Sequence, residues 1–280
     1  MRRAFTRIDL IVVTDSAAML LPLLVPVLRD ADRQAGVAQC LGNLRQVMQA
    51  TGAYLNEHDN AFPLYAPGPW TGIASWVFGG KTNDEAWIGD IYYVRVTDRP
   101  LNSYLLGGVV QPDVTDGSTV VARTPVPPLH CPADRFSHQR LNWGGSDPNQ
   151  TPLTVPSYDD VGTSYQHKLH GLFDLDSSAG WNALAHALIH SVLRNQADSF
   201  TFYLEDPMDW GLAFNVLQTG NHGELGKHSC GYLDGHADYA YRDTRGWCGI
   251  GWEAIVSDWV RYTGCTAPIS YGSWKNCDPP

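Results

Sequence analysis

The hydrophobic and polar positions divide the N-terminal part of the chain into two segments. A pair of arginines is followed by a mostly apolar run from residue 8 to residue 28. The run matches the roughly 20 residues with which a helix spans a bilayer, and basic residues before it would hold the N-terminus in the cytoplasm. Asp15, Pro22 and Pro26 interrupt it, because an intramembrane carboxylate is costly and proline removes a helix hydrogen bond. The pattern alone predicts either a membrane helix or a buried core helix.

The second segment has the periodicity of an amphipathic helix. Between residues 29 and about 54, polar residues largely fill the gaps between apolar ones that recur every three or four positions. These apolar positions are Val37, Cys40, Leu41, Leu44, Val47, Met48 and Tyr54. Fused to the apolar run, this segment predicts one long N-terminal helix whose second half packs on a globular body.

Glycine and proline punctuate the rest of the chain. Short aromatic runs such as 75–78 and 91–96 favour strands joined by long loops. Residues 181–194 have the spacing of a second amphipathic helix. Alternating patterns flank Asp234 and Gly235, which predicts a β-hairpin with the glycine at positive φ. The predicted fold class is α+β with antiparallel strands.

Charge and cysteine content narrow the classes of function. The 280-residue chain has a formal net charge of −10 at pH 7 and no basic cluster, which argues against nucleic-acid binding. Its six cysteines form no C-x-x-C pair, so a closed zinc site of the common spacing is not indicated. Disulfides are expected if the body is exported, and Cys248, Cys265 and Cys277 would then staple the C-terminal tail. The pairing cannot be deduced from the sequence.

One stretch, 221–241, concentrates histidines and carboxylates. His222, His228, Asp234 and His236 would suit a divalent metal, because imidazole and carboxylate bind zinc-like ions. The alternative is a hairpin that carries surface histidines without a ligand. The sequence thus predicts no cofactor, with a divalent metal ion at this stretch as the alternative.

A second acidic group precedes this stretch. Glu205, Asp206 and Asp209 would supply oxygen ligands for Ca²⁺, or they would form a solvated turn. The chain has no G-x-S-x-G elbow, no H-E-x-x-H motif and no phosphate-binding glycine loop. A structural role is therefore favoured over catalysis.

Residues 4–13, AFTRIDLIVV, resemble the prepilin cleavage and methylation motif, with Ala4 in place of the usual glycine and Asp9 in place of the usual glutamate. The resemblance implies that prepilin peptidase cuts between Ala4 and Phe5 and methylates the new amino group. Asp9 would neutralise that ammonium in a neighbouring subunit. Alternatively, Asp9 is a first-turn acid favoured by the helix dipole.

Further segments resemble the pseudopilin-like proteins of planctomycetes, verrucomicrobia and lentisphaerae. The matching segments are 38–46, 54–63, 99–105, 129–135 and 162–165. The stretch 221–241 resembles the prepilin-type processing-associated H-X9-DG element, with altered spacing between its histidines and Asp234. Within these segments, Cys131 would pair with Cys40 and tie the helix to the body, or both would remain buried thiols.

The resemblance implies a pilin-like α+β fold, with a long N-terminal helix on an antiparallel sheet and an enlarged, loop-rich C-terminal part. Its parts would be a leader (1–4), a membrane-anchoring and assembly helix (5–28), its amphipathic continuation (29–60) and an exported domain (61–280).

The implied function is that of a structural or accessory subunit in a type II secretion or type IV pilus-like assembly, without turnover. The chain would cross the bacterial inner membrane once, with its C-terminal domain in the periplasm or cell envelope. Its partners would be prepilin peptidase, other pseudopilin subunits and the membrane. A membrane-tethered module that binds carbohydrate or metal, and a metal-dependent enzyme, are the alternatives.

Overall fold

The structure is a computed structural model that describes residues 7–61, 63, 75–90, 92–117, 119–140, 153–167, 201–214, 216–242 and 244. Several sequence-based expectations fall outside these residues. They are the cleavage site at Ala4 and Phe5, the helix at 181–194, and the tail cysteines Cys248, Cys265 and Cys277.

The chain begins with one long helix, α1 (Arg7–Glu57), of 51 residues, which continues through Pro22 and Pro26. At 1.5 Å per residue it is about 75 Å long. Between residues 14 and 32, every side chain that the structure describes is exposed. The exposed large apolar residues here are Met19, Leu20, Leu21, Leu24, Val25, Val27 and Leu28. In the described part of the chain, no helix meets the length and hydropathy needed to cross a membrane.

The second half of α1 packs on the body, as its periodicity predicts. Cys40, Leu44 and Val47 are fully buried and belong to the main hydrophobic core. The buried hydroxyls of Thr51 and Tyr203 share a 2.9 Å hydrogen bond, which joins the helix to the sheet. The helix ends where Asp59 and Asn60 adopt positive φ angles, a common way to terminate a helix.

Four antiparallel strands form the main sheet, in the order β3-β4-β5-β6. A separate hairpin is formed by β1 and β2. The strands are β1 (Val114–Asp116), β2 (Thr119–Ala122), β3 (Tyr165–His167), β4 (Thr201–Glu205), β5 (Lys227–Tyr232) and β6 (Ala237–Tyr241).

Short helices complete the described body. The α-helices are α2 (Asn102–Leu105), α3 (Ser157–Asp160) and α4 (Asp206–Phe214), and 3-10 turns span Glu85–Trp87, Val96–Asp98 and Pro127–Leu129.

Helix α1 lies across β5 and β6. The approach is close at Gly231 of β5, where a Cβ atom would stand 3.2 Å from Cγ of Met48 and 3.4 Å from Cδ2 of Leu44. Because Gly231 has no side chain, the helix can approach the strand this closely. The long N-terminal helix and the antiparallel sheets confirm the predicted α+β class.

The expectation of strands in the aromatic runs was wrong. Residues 75–78 form a turn, and the second run leads into the 3-10 turn Val96–Asp98. For the first run the physical reason is Arg99, which is 2% exposed. Its guanidinium donates to the carbonyl oxygens of Trp76 (2.6 Å), Gly79 (2.6 Å) and Val161 (2.7 Å). The Arg99 side chain thus satisfies carbonyl oxygens that would otherwise accept hydrogen bonds from a neighbouring strand.

Candidate functional site

The junction between α1 and the sheet contains a disulfide between Cys40 and Cys131. The two residues are 91 positions apart in the chain, and their Cα atoms are 5.1 Å apart. Both are fully buried. The structure places the two sulfurs at disulfide distance, as the predicted pairing requires. The bond fixes the packed half of α1 to the segment that follows the turn Pro127–Leu129.

His222 lies against this disulfide. Its Nε2 is 3.8 Å from Sγ of Cys131, and the ring makes an edge contact with Tyr239, with centroids 5.4 Å apart. Gly36 of α1 lies beside the ring, where a Cβ would be 3.6 Å from Nδ1. Burial lowers the pKa of His222, with Glu205 opposing and Arg33 reinforcing that shift. This shift favours the neutral form of the imidazole.

Glu205 ends β4 and is fully buried. Its carboxylate accepts hydrogen bonds from the backbone N–H groups of Asn221 and Ser229, each at 2.9 Å. Nδ1 of His228 lies 3.6 Å from the same carboxylate. Burial raises the pKa of Glu205, but His228 and the two N–H donors outweigh it, so the pKa lies below its ordinary value. Through its hydrogen bonds with Asn221 and Ser229, Glu205 holds the segment that contains His222 against the sheet.

An ion pair also joins α1 to the segment that contains His222, nearer the protein surface. Arg33 contacts Glu224, and the same glutamate accepts from Lys227 at 2.6 Å. Arg33 also pairs with Asp30 at 2.6 Å. Among the described side chains of α1, Arg33 is the first that is partly buried, so these contacts lie where the helix leaves the body.

Asp234 and His236 form the turn between β5 and β6. Gly235 has a φ of 96°, so the predicted hairpin with a positive-φ glycine is confirmed. Nδ1 of His236 is 2.5 Å from the Asp234 carboxylate, and its ring stacks on Tyr232 with centroids 4.0 Å apart. Both side chains are partly exposed to solvent.

The structure separates the four residues that the sequence offered as metal ligands. His222 lies at the disulfide, His228 at Glu205, and Asp234 with His236 at the hairpin turn. Among the described residues, only one group of three or more potential ligands has its atoms within 4.8 Å of one another. That group is Cys40, Cys131 and His222.

The acidic group at the start of α4 is not a solvated turn, which corrects that interpretation. Glu205, Asp206 and Asp209 are fully buried. Asp206 accepts hydrogen bonds from Nδ1 of His138 (2.7 Å) and Nε2 of Gln139 (2.5 Å). Asp206 and Asp209 also lie in the first turn of α4, where the helix dipole favours negative charge. Hydrogen bonds from His138 and Gln139 thus compensate the desolvation cost of burying the Asp206 carboxylate.

Asp134 organises the loop that follows Cys131. It is 2% exposed and accepts from the backbone N–H groups of Ser157 and Tyr158 and from the hydroxyl of Ser164. Burial outweighs these bonds and raises the pKa of Asp134 to about 7. Ser164 in turn accepts from the N–H of Cys131 at 3.0 Å, so Asp134 positions the disulfide through one intermediate residue.

Sequence reasoning missed Arg99, Asp134 and His138 as organising residues. Their signal was weak, because single charged residues in loops of ordinary composition give no periodicity. Arg99 and Asp134 did lie in segments singled out by the resemblance, 99–105 and 129–135. Comparison of the chain with protein-family models, with curated proteins and with solved structures found no match.

Proposed function

We propose that this protein is a pseudopilin-like structural or accessory subunit of a type II secretion or type IV pilus-like envelope assembly, without catalytic turnover. The observation that carries the proposal is the division of α1. Its second half is buried in the body and covalently fixed there, whereas side chains described between residues 14 and 32 are exposed. A pilin-like subunit requires this division, because one half of the helix must remain available to other subunits.

The exposed half has a composition that favours contact with other helices or lipid. Seven large apolar side chains between Met19 and Leu28 are 41–75% exposed. A contiguous apolar surface on a protein marks an interaction site. In the proposed assembly, lipid and the corresponding helices of neighbouring subunits cover residues 5–28.

The attachment of α1 suits a helix that transmits load. The disulfide at Cys40, the hydrogen bond at Thr51 and the ion pair at Arg33 connect the helix to three different parts of the body. A subunit pulled by its N-terminal helix would transfer force to the sheet through these contacts. The body would lie in the periplasm or cell envelope, where a structural disulfide persists.

The N-terminal motif supplies the route into such an assembly. Prepilin peptidase would cleave after Ala4 and methylate Phe5, and Asp9 would pair with the new ammonium of a neighbouring subunit. An unpaired charge in an apolar environment is costly, which gives this pairing its physical basis.

Site-specific photo-cross-linking in cells tests the proposal. Leu21 in α1 and Val121 in β2 are each 58% exposed, so a photoreactive amino acid at either position meets the same initial accessibility. We expect adducts at position 21 with lipid or with subunits that carry prepilin-type N-termini, and none of these at position 121. Adducts of that kind at neither position, with the chain in the soluble fraction, would contradict the proposal.

A further inference from the structure

We propose that Cys40, Cys131 and His222 form a redox-gated binding site for a thiophilic divalent ion of the zinc class. In the oxidised protein the two sulfurs are bonded to each other. After reduction, two thiolates and one imidazole nitrogen converge on the same point. This inference does not depend on the proposed assembly function.

The geometry of the three residues fits such an ion. Their potential ligand atoms lie within 4.8 Å of one another. Zinc binds sulfur at about 2.3 Å and nitrogen at about 2.0 Å, so tetrahedral ligand atoms stand roughly 3.3–3.8 Å apart. The Cα separation of 5.1 Å between the cysteines leaves room for the sulfurs to reach that spacing by side-chain rotation.

The surroundings of His222 favour the role of a ligand. Nε2 is the nitrogen that faces Cys131, at 3.8 Å from Sγ. A neutral imidazole with its proton on Nδ1 presents the Nε2 lone pair to the sulfur, and neutral imidazole is the form that binds metals. Both cysteines are fully buried, and His222 is 7% exposed.

The redox step and the binding step balance separately. A dithiol reductant transfers two electrons and two protons to the disulfide, which becomes two thiols while the dithiol becomes a disulfide. The ion then displaces the two thiol protons and binds two thiolates and the neutral imidazole. Binding therefore releases two protons and strengthens as the pH rises.

The disulfide-bonded protein and the metal-bound reduced protein share one mechanical property. An S–S bond and a sulfur–metal–sulfur bridge both connect α1 to the segment at Cys131. Only the reduced, metal-free protein lacks a covalent or coordinate link at this point. The cluster thus offers a way to keep the helix attached when the disulfide is reduced.

Titration of the reduced, full-length chain with Co²⁺ under anaerobic conditions tests the inference. We expect one equivalent of Co²⁺ to produce an intense near-ultraviolet thiolate-to-cobalt band that Zn²⁺ abolishes, and the oxidised chain to show none. Cys40→Ser should remove the band. His222→Ala should lower the apparent affinity at least tenfold, whereas the matched control His236→Ala, in the hairpin turn, should leave it unchanged.

Two outcomes would overturn the inference. One is the absence of the band in the reduced wild-type chain. The other is a band that persists unchanged in both Cys40→Ser and His222→Ala, which would place the thiolate ligands elsewhere. Thermal unfolding provides a second measurement if a variant folds poorly, since Zn²⁺ should raise the Tm of the reduced wild-type chain and of His236→Ala. Failure of Zn²⁺ to do so would equally count against the site.

Discussion

Cys40, in the packed half of α1, is bonded to Cys131, 91 residues further along the chain. In the chain-entropy description, closing a loop of this length stabilises the folded state by about 4–5 kcal/mol. We expect the double variant Cys40→Ala, Cys131→Ala to lose about 3–5 kcal/mol of unfolding free energy, measured by denaturant titration. Chemical reduction of the wild type should cause a similar loss. A double variant within about 1 kcal/mol of the oxidised wild type would contradict this role.

Arg99→Lys should destabilise the body strongly. The guanidinium donates to three carbonyl oxygens and to Oδ1 of Asn83 at 2.6 Å, and an ammonium on a flexible stem cannot serve all four acceptors. We expect a loss of about 3–5 kcal/mol in unfolding free energy. Arg95→Lys is the matched control, because Arg95 is exposed and should change stability by less than about 0.5 kcal/mol. Equal effects of the two substitutions would refute the role of Arg99.

Glu205→Gln should weaken the fold, because one amide oxygen cannot replace a carboxylate that accepts from Asn221 and Ser229 beside His228. We expect a loss of about 2–4 kcal/mol at neutral pH. The folded-state pKa of Glu205 is lowered, so its stabilisation is present above the ordinary value near 4.5 and is lost as the pH falls through the folded pKa. Denaturant titrations across this range should show wild type and variant converging in acid. A difference in unfolding free energy between wild type and variant that stays constant across this pH range would contradict the role of the Glu205 carboxylate.

Asp134 should produce the opposite pH dependence. Burial raises its pKa from 3.8 to about 7, so the folded protein binds an extra proton between those values. The contribution is fully present below pH 3.8 and is lost as the pH rises through 7, by about 4 kcal/mol in total. Asp134→Asn removes this titration. We therefore expect a shallower fall in stability between pH 5 and 8 for the variant, measured by thermal or denaturant unfolding. Parallel pH profiles would exclude the shifted carboxyl as the cause.

The periodic elements of the fold could be predicted from the sequence. The packed half of α1 follows from apolar residues at helical spacing, and the β5–β6 hairpin follows from Asp234 and Gly235 between alternating patterns. These features are local, because a helix face or a turn is determined by residues a few positions apart. The pairing of Cys40 with Cys131, which are 91 residues apart, was one of two alternatives that the sequence left open.

The interior of the body could not be predicted in the same way. The three contacts of Arg99 with carbonyl oxygens join segments that are distant in the chain, and no spacing rule indicates them. Histidines clustered in sequence suggested one site. The structure instead places His222 before β5, His228 in β5 and His236 in the turn after it, each in different surroundings. Asp206 looked like a surface acid because its compensating donors, His138 and Gln139, come from another loop.

The N-terminus of the mature chain distinguishes a pseudopilin-like subunit from a protein that keeps residues 1–4. The full-length chain would be produced in two bacterial hosts, one with prepilin peptidase and one without, and recovered from membranes for intact mass and N-terminal sequencing. We expect a mature form that begins at methylated Phe5 only in the host with the peptidase. A chain that begins at Met1 in both hosts would contradict the pseudopilin-like assignment.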